Sequence, residues 1–153
     1  MAKNLKYFMR GNVEEIVTVP GPSTITDEKG EVVNLEVRVL PQSKIREINN
    51  AYRRRSIAVD KKGNPLVYNG EVVWKTETDN ERATRHIIVE ALAYPNLKDE
   101  ELMKFYNCVD VTEMPLKVFP KTDEYTHVTR AVLGALGIIE AEEEGEVLED
   151  AKN

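Results

Sequence analysis

The sequence predicts an α+β fold in which N-terminal antiparallel β-hairpins are followed by a C-terminal helical bundle, with a disordered acidic tail. Three observations lead there. Val33, Leu35, Val37 and Val39 alternate with Asn34, Glu36 and Arg38, the period of two produced by a strand with one buried and one wet face. Asn69-Gly70 sits between two β-prone runs, and that dipeptide favours a two-residue hairpin turn because both central positions need positive φ. After Asp79 the apolar residues recur at helical spacing instead.

In chain order, residues 5–12 read as a short apolar hook ending at a glycine. Glu14 to Val19 is β-rich and is stopped by Pro20-Gly21-Pro22. Asp27-Glu-Lys-Gly30 is a turn signal that leads into the alternating strand. Pro41-Gln-Ser43 opens a helix, with Ser43 as its cap and Ile45, Ile48 and Tyr52 along one face; the helix ends in Arg53-Arg54-Arg55. The second hairpin pairs Leu66–Tyr68 with Glu71–Trp74, and Pro65 suits an edge position there. Ala83, Ile87, Ile88, Ala91 and Leu92 form the stripe of a long helix that stops before Pro95. A short helix is expected over Lys98–Tyr106 with Leu102, Phe105 and Tyr106 inward, and Asp110-x-x-Glu113 resembles a capping box for another, limited by Pro115. The last helix starts at Thr122, carries Asp123 and Glu124 where the dipole favours negative charge, and turns Tyr125, Val128, Val132, Ala135, Leu136 and Ile139 to one side.

This organisation is a single α+β domain over residues 1–139, β-rich over 13–76 and helical over 79–139, with an acidic tail over 140–153. The 153 residues are enough for a core without disulfides or metals. Seven acids against one base fall after Ile139, which leaves acids and bases equal in number over the body. A formally neutral body argues against broad electrostatic binding to nucleic acid. No apolar run reaches the roughly 20 residues of a membrane span, and the cationic start is not followed by an apolar stretch, so neither a membrane nor a secretory role is expected. One cysteine, Cys108, fits a reducing compartment, and the expected location is the cytoplasm of a bacterial host.

Catalytic chemistry finds little to use. His86 and His127 read as helix-surface residues, since neither has a Cys, His or carboxylate at metal-ligand spacing. Cys108 reads as a small packed side chain. Gly134 and Gly137 lie inside a predicted helix rather than at a strand exit, so they make no phosphate loop; they either close-pack the helix or leave a groove for a partner. Arg53-Arg54-Arg55 is the basic cluster, with Lys44 and Arg46 one to two turns back. It reads as a solvated helix end, as a patch for an acidic partner or the chain's own tail, or as a nucleic-acid contact. Tyr68 and Trp74 are expected in the core. No enzyme activity, catalytic residue, cofactor or metal is predicted.

Several stretches together resemble the tail assembly chaperones of PBSX-type prophages and related phages. Ala91-Leu-Ala-Tyr94-Pro95-Asn96-Leu97-Lys98-Asp99-Glu-Glu-Leu102-Met-Lys-Phe-Tyr106 is the most characteristic, since in that family a helix similarly ends at Tyr-Pro before a Leu-Lys-Asp helix opening. Tyr7-Phe-Met-Arg10-Gly-Asn-Val-Glu14-Glu resembles the family's start, and the strand through Glu36-Val-Arg38 and the last helix running into Leu136-Gly137 also fit. The acidic extension after Ile139 and the Asn69-Gly70 hairpin depart from that pattern.

The resemblance implies binding of the tape measure protein, which is kept soluble before the tail tube polymerises, with the tail-tube protein as a further partner, self-association along the client, and no cofactor. The alternative is a structural tail-completion or connector protein. An apolar groove edged with charge would suit a helical client. The expected partner-binding residues are Tyr125, Val128, Val132 and Leu136 on the last helix, with Arg53, Arg54 and Arg55.

Overall fold

Leu35 and Val37 are buried while Glu36 between them is exposed, as the alternation requires. They lie on β2 (Leu35–Arg38), the middle strand of a three-stranded antiparallel sheet. The computed structural model describes residues 3–11 and 14–139. On one side β2 pairs β1 (Ile16–Val19) from Ile16↔Arg38 to Val19↔Leu35. The link between them doubles back at Asp27, whose carboxylate accepts from the backbone N–H groups of Lys29 and Glu31, with Gly30 at φ +81°. Gly21 is held close to this link: a Cβ there would stand 2.1 Å from the Val33 carbonyl oxygen, so the position needs glycine.

α1 (Gln42–Ala51) follows. Ser43 does not cap it. The helix has already begun at Gln42, the cap position is Pro41, and no side chain caps there; the Pro41 carbonyl takes the first helical bonds from Lys44 and Ile45. Ile48 is buried and Ile45 half-buried, as their spacing requires. The chain then leaves the body as an arm, described below, and returns at α2 (Asn80–Ala91), capped by the Asp79 carboxylate on the Arg82 N–H.

α2 is the hub. α1, α5 (Thr122–Ala135), α4 (Met114–Val118) and β2 all pack on it. It buries Ala83, Ile87, Ile88, Val89 and Ala91, one residue more than a single stripe provides, because it is covered from several sides. Leu92 is buried too, but on a strand. The residue before a proline avoids the helical region, and the chain extends as β7 (Leu92–Tyr94) before a cis Tyr94–Pro95 bond. β7 completes the sheet in the order β1-β2-β7, with a register shift between Glu36 and Val37. The β and helical regions are thus interlocked by a strand from the second half.

The other helices are short. α3 (Glu100–Phe105) is capped by Asp99. Leu102 and Tyr106 pack against the core, but Phe105 points outward at 78% exposure, since a six-residue helix at the surface buries one side only. Asp110 caps a 3-10 turn over Val111–Glu113 by accepting from the Thr112 N–H and hydroxyl. Glu113 does not close a capping box; it pairs with Arg85 at 3.4 Å. α5 then starts at Thr122 as predicted, with Glu124 buried, accepting from the Thr24 hydroxyl and thereby pinning the 20–24 loop. With α3 and α4 this short and α2 central, the helical half is several helices around a hub rather than a parallel bundle. The expected acidic tail, 140–153, lies outside the described residues, as does Asn12 of the hook.

Candidate functional site

Arg53, Arg54 and Arg55 do not end a helix. The helix stops at Tyr52, and the arginines begin β3 (Arg53–Ile57). Their backbone is paired antiparallel with β6 (Trp74–Thr78), from Arg53↔Thr78 to Ile57↔Trp74. Strand partners rich in Thr and Trp favour the extended form, and ladder pairing outweighs continuation of α1. The two strands leave and re-enter the body together: the Asp79 N–H donates to the Tyr52 carbonyl at 3.0 Å. Residues 53–78 therefore form a closed β-arm with a narrow root.

Beyond Ile57 the arm broadens. Ala58 N–H donates to the Val73 carbonyl and Leu66 N–H to the Ala58 carbonyl, which lays a third segment beside the first two. A turn at Asp60 leads in, its carboxylate accepting from Lys62 and Asn64 N–H at 2.9 Å each, with Gly63 at φ +84°. It repeats the Asp27 turn bond for bond. The tip is β4 (Val67–Tyr68) against β5 (Glu71–Val72), joined by Asn69 and Gly70 at φ +51° and +78°. The Asn-Gly signal is thus satisfied.

Directly opposed residues share a face, so Arg53, Arg55, Ile57, Trp74, Thr76 and Thr78 lie on one side of the β3–β6 ladder and Arg54, Ser56, Lys75 and Glu77 on the other. On the first side the Arg55 guanidinium lies 4.8 Å from the Trp74 ring centroid, a cation–π contact that stiffens both side chains. On the second, the hydrogen bond and charge of Lys75, 2.7 Å away, hold the Glu77 carboxyl below its ordinary pKa, with Arg54 adding to the effect. β3 and β6 pack on each other and β4 on β5, not substantially on the helices. The arm accordingly leaves apolar groups in solvent: Ile57, Val59, Val67, Tyr68, Val72 and Trp74 are all exposed, Tyr68 at 73% and Trp74 at 51%. The aromatics expected in the core are on the surface instead. Six bases against three acids between Arg53 and Thr78 give the arm a positive edge on an otherwise acidic protein.

The last-helix candidates fare differently. Val128 and Val132 are 0% exposed and belong to the core; Tyr125 and Leu136 are half-buried and pack against it. The apolar face of α5 is filled by this chain, so the valines offer a partner no surface. Gly134 is exposed and meets no close neighbour, and Gly137, at φ +76°, ends the helix. Other exposed apolar residues lie in the 3-10 turn Leu5–Phe8 and at Phe105 and Val109.

The titratable candidates are engaged in packing bonds. His86 Nδ1 lies 2.6 Å from the Tyr52 hydroxyl, His127 Nε2 2.9 Å from the Pro20 carbonyl, and the Cys108 thiol donates to the Asp110 carbonyl at 3.1 Å. Among the described residues no group of His, Cys, Asp and Glu could hold a metal ion, and no helix is long and apolar enough to cross a membrane.

The structure is thus a small α+β body bearing one apolar, cationic arm. The chain belongs to the phage XkdN-like tail assembly chaperone family, whose profile matches residues 5–152. Its role is therefore that of a phage tail assembly chaperone, as the stretch from Ala91 to Tyr106 led one to expect. The fold is similar to the crystal structure of the protein YqbN, with a TM-score of 0.67 and 23% identity over 90% of this chain and 98% of that one. A search of curated proteins finds no match.

Proposed function

We propose that this chaperone binds the tape measure protein through the β-arm and keeps it soluble until the tail tube polymerises around it. The observation that carries this reading is the arm itself, where exposed apolar side chains are concentrated on an element that the body does not cover. A long helical client exposes apolar stripes that aggregate unless covered, and it carries charge beside them. Ile57 and Trp74, flanked by Arg53 and Arg55, present the matching combination of apolar surface and cations on one face. Such an arm risks self-pairing at its free edges, and the arginines and lysines along it oppose that. Several copies are expected along one client, each contact weak and the array strong. The tail-tube protein is the second partner in this reading, and the host cytoplasm the setting.

Co-expression tests it. With the chaperone present the tape measure protein should remain in the soluble fraction and co-elute with it from size exclusion; insolubility with no complex would overturn the proposal. The alternative, a tail-completion or connector protein, requires the chain in finished particles, where mass spectrometry should find none.

A further inference from the structure

We propose that a groove at the foot of the arm is the docking site of the chain's own acidic segment, residues 140–150. The groove, about 400 Å³, runs between α1 and the end of α5 and is lined by Ile45, Arg46, Asn49, Arg53, Leu136 and Ile138 among others. Asn49 and Asn50 lie three and four residues after Arg46 on α1, and Arg53 follows at the start of β3, so the four line one polar side of the groove. The neighbouring cations are engaged: Arg55 covers Trp74, Arg54 opposes Glu77, and Lys44 is 4.0 Å from Glu47. Among the described residues Arg46 and Arg53 have no carboxylate partner, and both are exposed. Two unneutralised guanidinium groups facing one cleft are a site for an anion.

The occupant is named by charge and by reach. Residues 140–150 hold seven acids and no base, with the apolar pair Val147-Leu148 set among them. The groove offers the complement, two arginines beside Ile45, Leu136 and a half-exposed Ile138. Ile138 is itself part of the groove wall, and Glu142 is only four residues farther along, about 14 Å of chain at about 3.5 Å per residue. A segment tethered so close acts at an effective concentration on the order of millimolar, so weak exposed ion pairs suffice to hold it. Arg53 belongs to this groove and to the arm, which places the acidic segment beside the root of the surface assigned above to the client.

Amide NMR spectra of the full chain test this without any client. In a variant carrying Glu142→Gln, Glu143→Gln, Glu144→Gln and Glu146→Gln, the resonances of Arg46, Asn49, Asn50 and Arg53 should move while those of Val67 to Val72 stay. Raising NaCl from about 0.05 M to about 1 M, which shortens the screening length to about 3 Å, should move the same resonances in the native chain. Both responses should be lost in Arg46→Glu/Arg53→Glu and be independent of protein concentration. No response, or one confined to other basic residues, overturns the proposal. A response that disappears on dilution also overturns it, since the occupant would then be the segment of a second copy or another acidic partner.

Discussion

Val132 on α5 and Leu136, the residue that caps its C-terminal end, meet different surroundings: the first is sealed in the core, the second reaches the groove. Val132→Ala should cost about 2 kcal/mol through lost burial and the cavity left behind. At about 2–4 °C per kcal/mol for a chain of this size, thermal unfolding should shift down by about 4–8 °C. A shift under a degree would mean that α5 does not seal the core. Glu90 offers a second test at this scale. Burial works to raise its pKa, but the hydrogen bond and charge of Lys98, 2.8 Å away, outweigh it, helped by His86 and Lys44, and the net shift is downward. A carboxyl with a depressed pKa in the folded state contributes stability above its unfolded value of about 4.3 and loses it as pH falls through the folded value. The melting-temperature gap between native protein and Glu90→Gln should therefore be present at neutral pH and close in acid. A gap that widens in acid would contradict the Lys98 pairing.

At the scale of elements, the role proposed for the arm separates binding from stability. Trp74→Ala and Tyr68→Ser remove exposed side chains, so each should leave the melting temperature within about a degree or two. Each should also weaken client binding by about tenfold or more, as aromatic anchors at interfaces do. Equal binding with intact fold, measured by titration of a tape measure fragment, would remove the arm from the interface. The elements whose signals are local were legible in the sequence. The alternation through Val37 needs no tertiary information, nor does the Asn69-Gly70 turn or the Thr122 helix start. Arg53 to Ile57 was not, because a run of arginines suits a helix end equally well and only its pairing with Trp74 to Thr78 makes it a strand. The family resemblance was carried by packing and capping residues around Tyr94-Pro95, which fix the body and not the arm. The small residues and apolar face of α5 suggest a client surface in the sequence, but Val128 and Val132 on that face are buried by the chain itself. One signal for the arm was present: Asp60-Lys-Lys-Gly63 repeats Asp27-Glu-Lys-Gly30, and both make the same turn.

For the whole molecule, the proposed division of labour is between a body that folds and an arm that binds. The root geometry makes that division testable, because the Tyr52 carbonyl and the Asp79 N–H are already hydrogen-bonded at 3.0 Å. Replacing residues 53–78 by a short Gly-Ser turn should leave α1 and α2 packed and the protein folded, since surface connections tolerate such changes when the ends are close. The deciding measurement is the amount of soluble tape measure protein on co-expression with the full chain and with this armless body, after circular dichroism has shown that both are folded. A soluble complex is expected with the full chain and an aggregated, unbound client with the armless one. Equal solubilisation by the two would contradict this and return the client to the body.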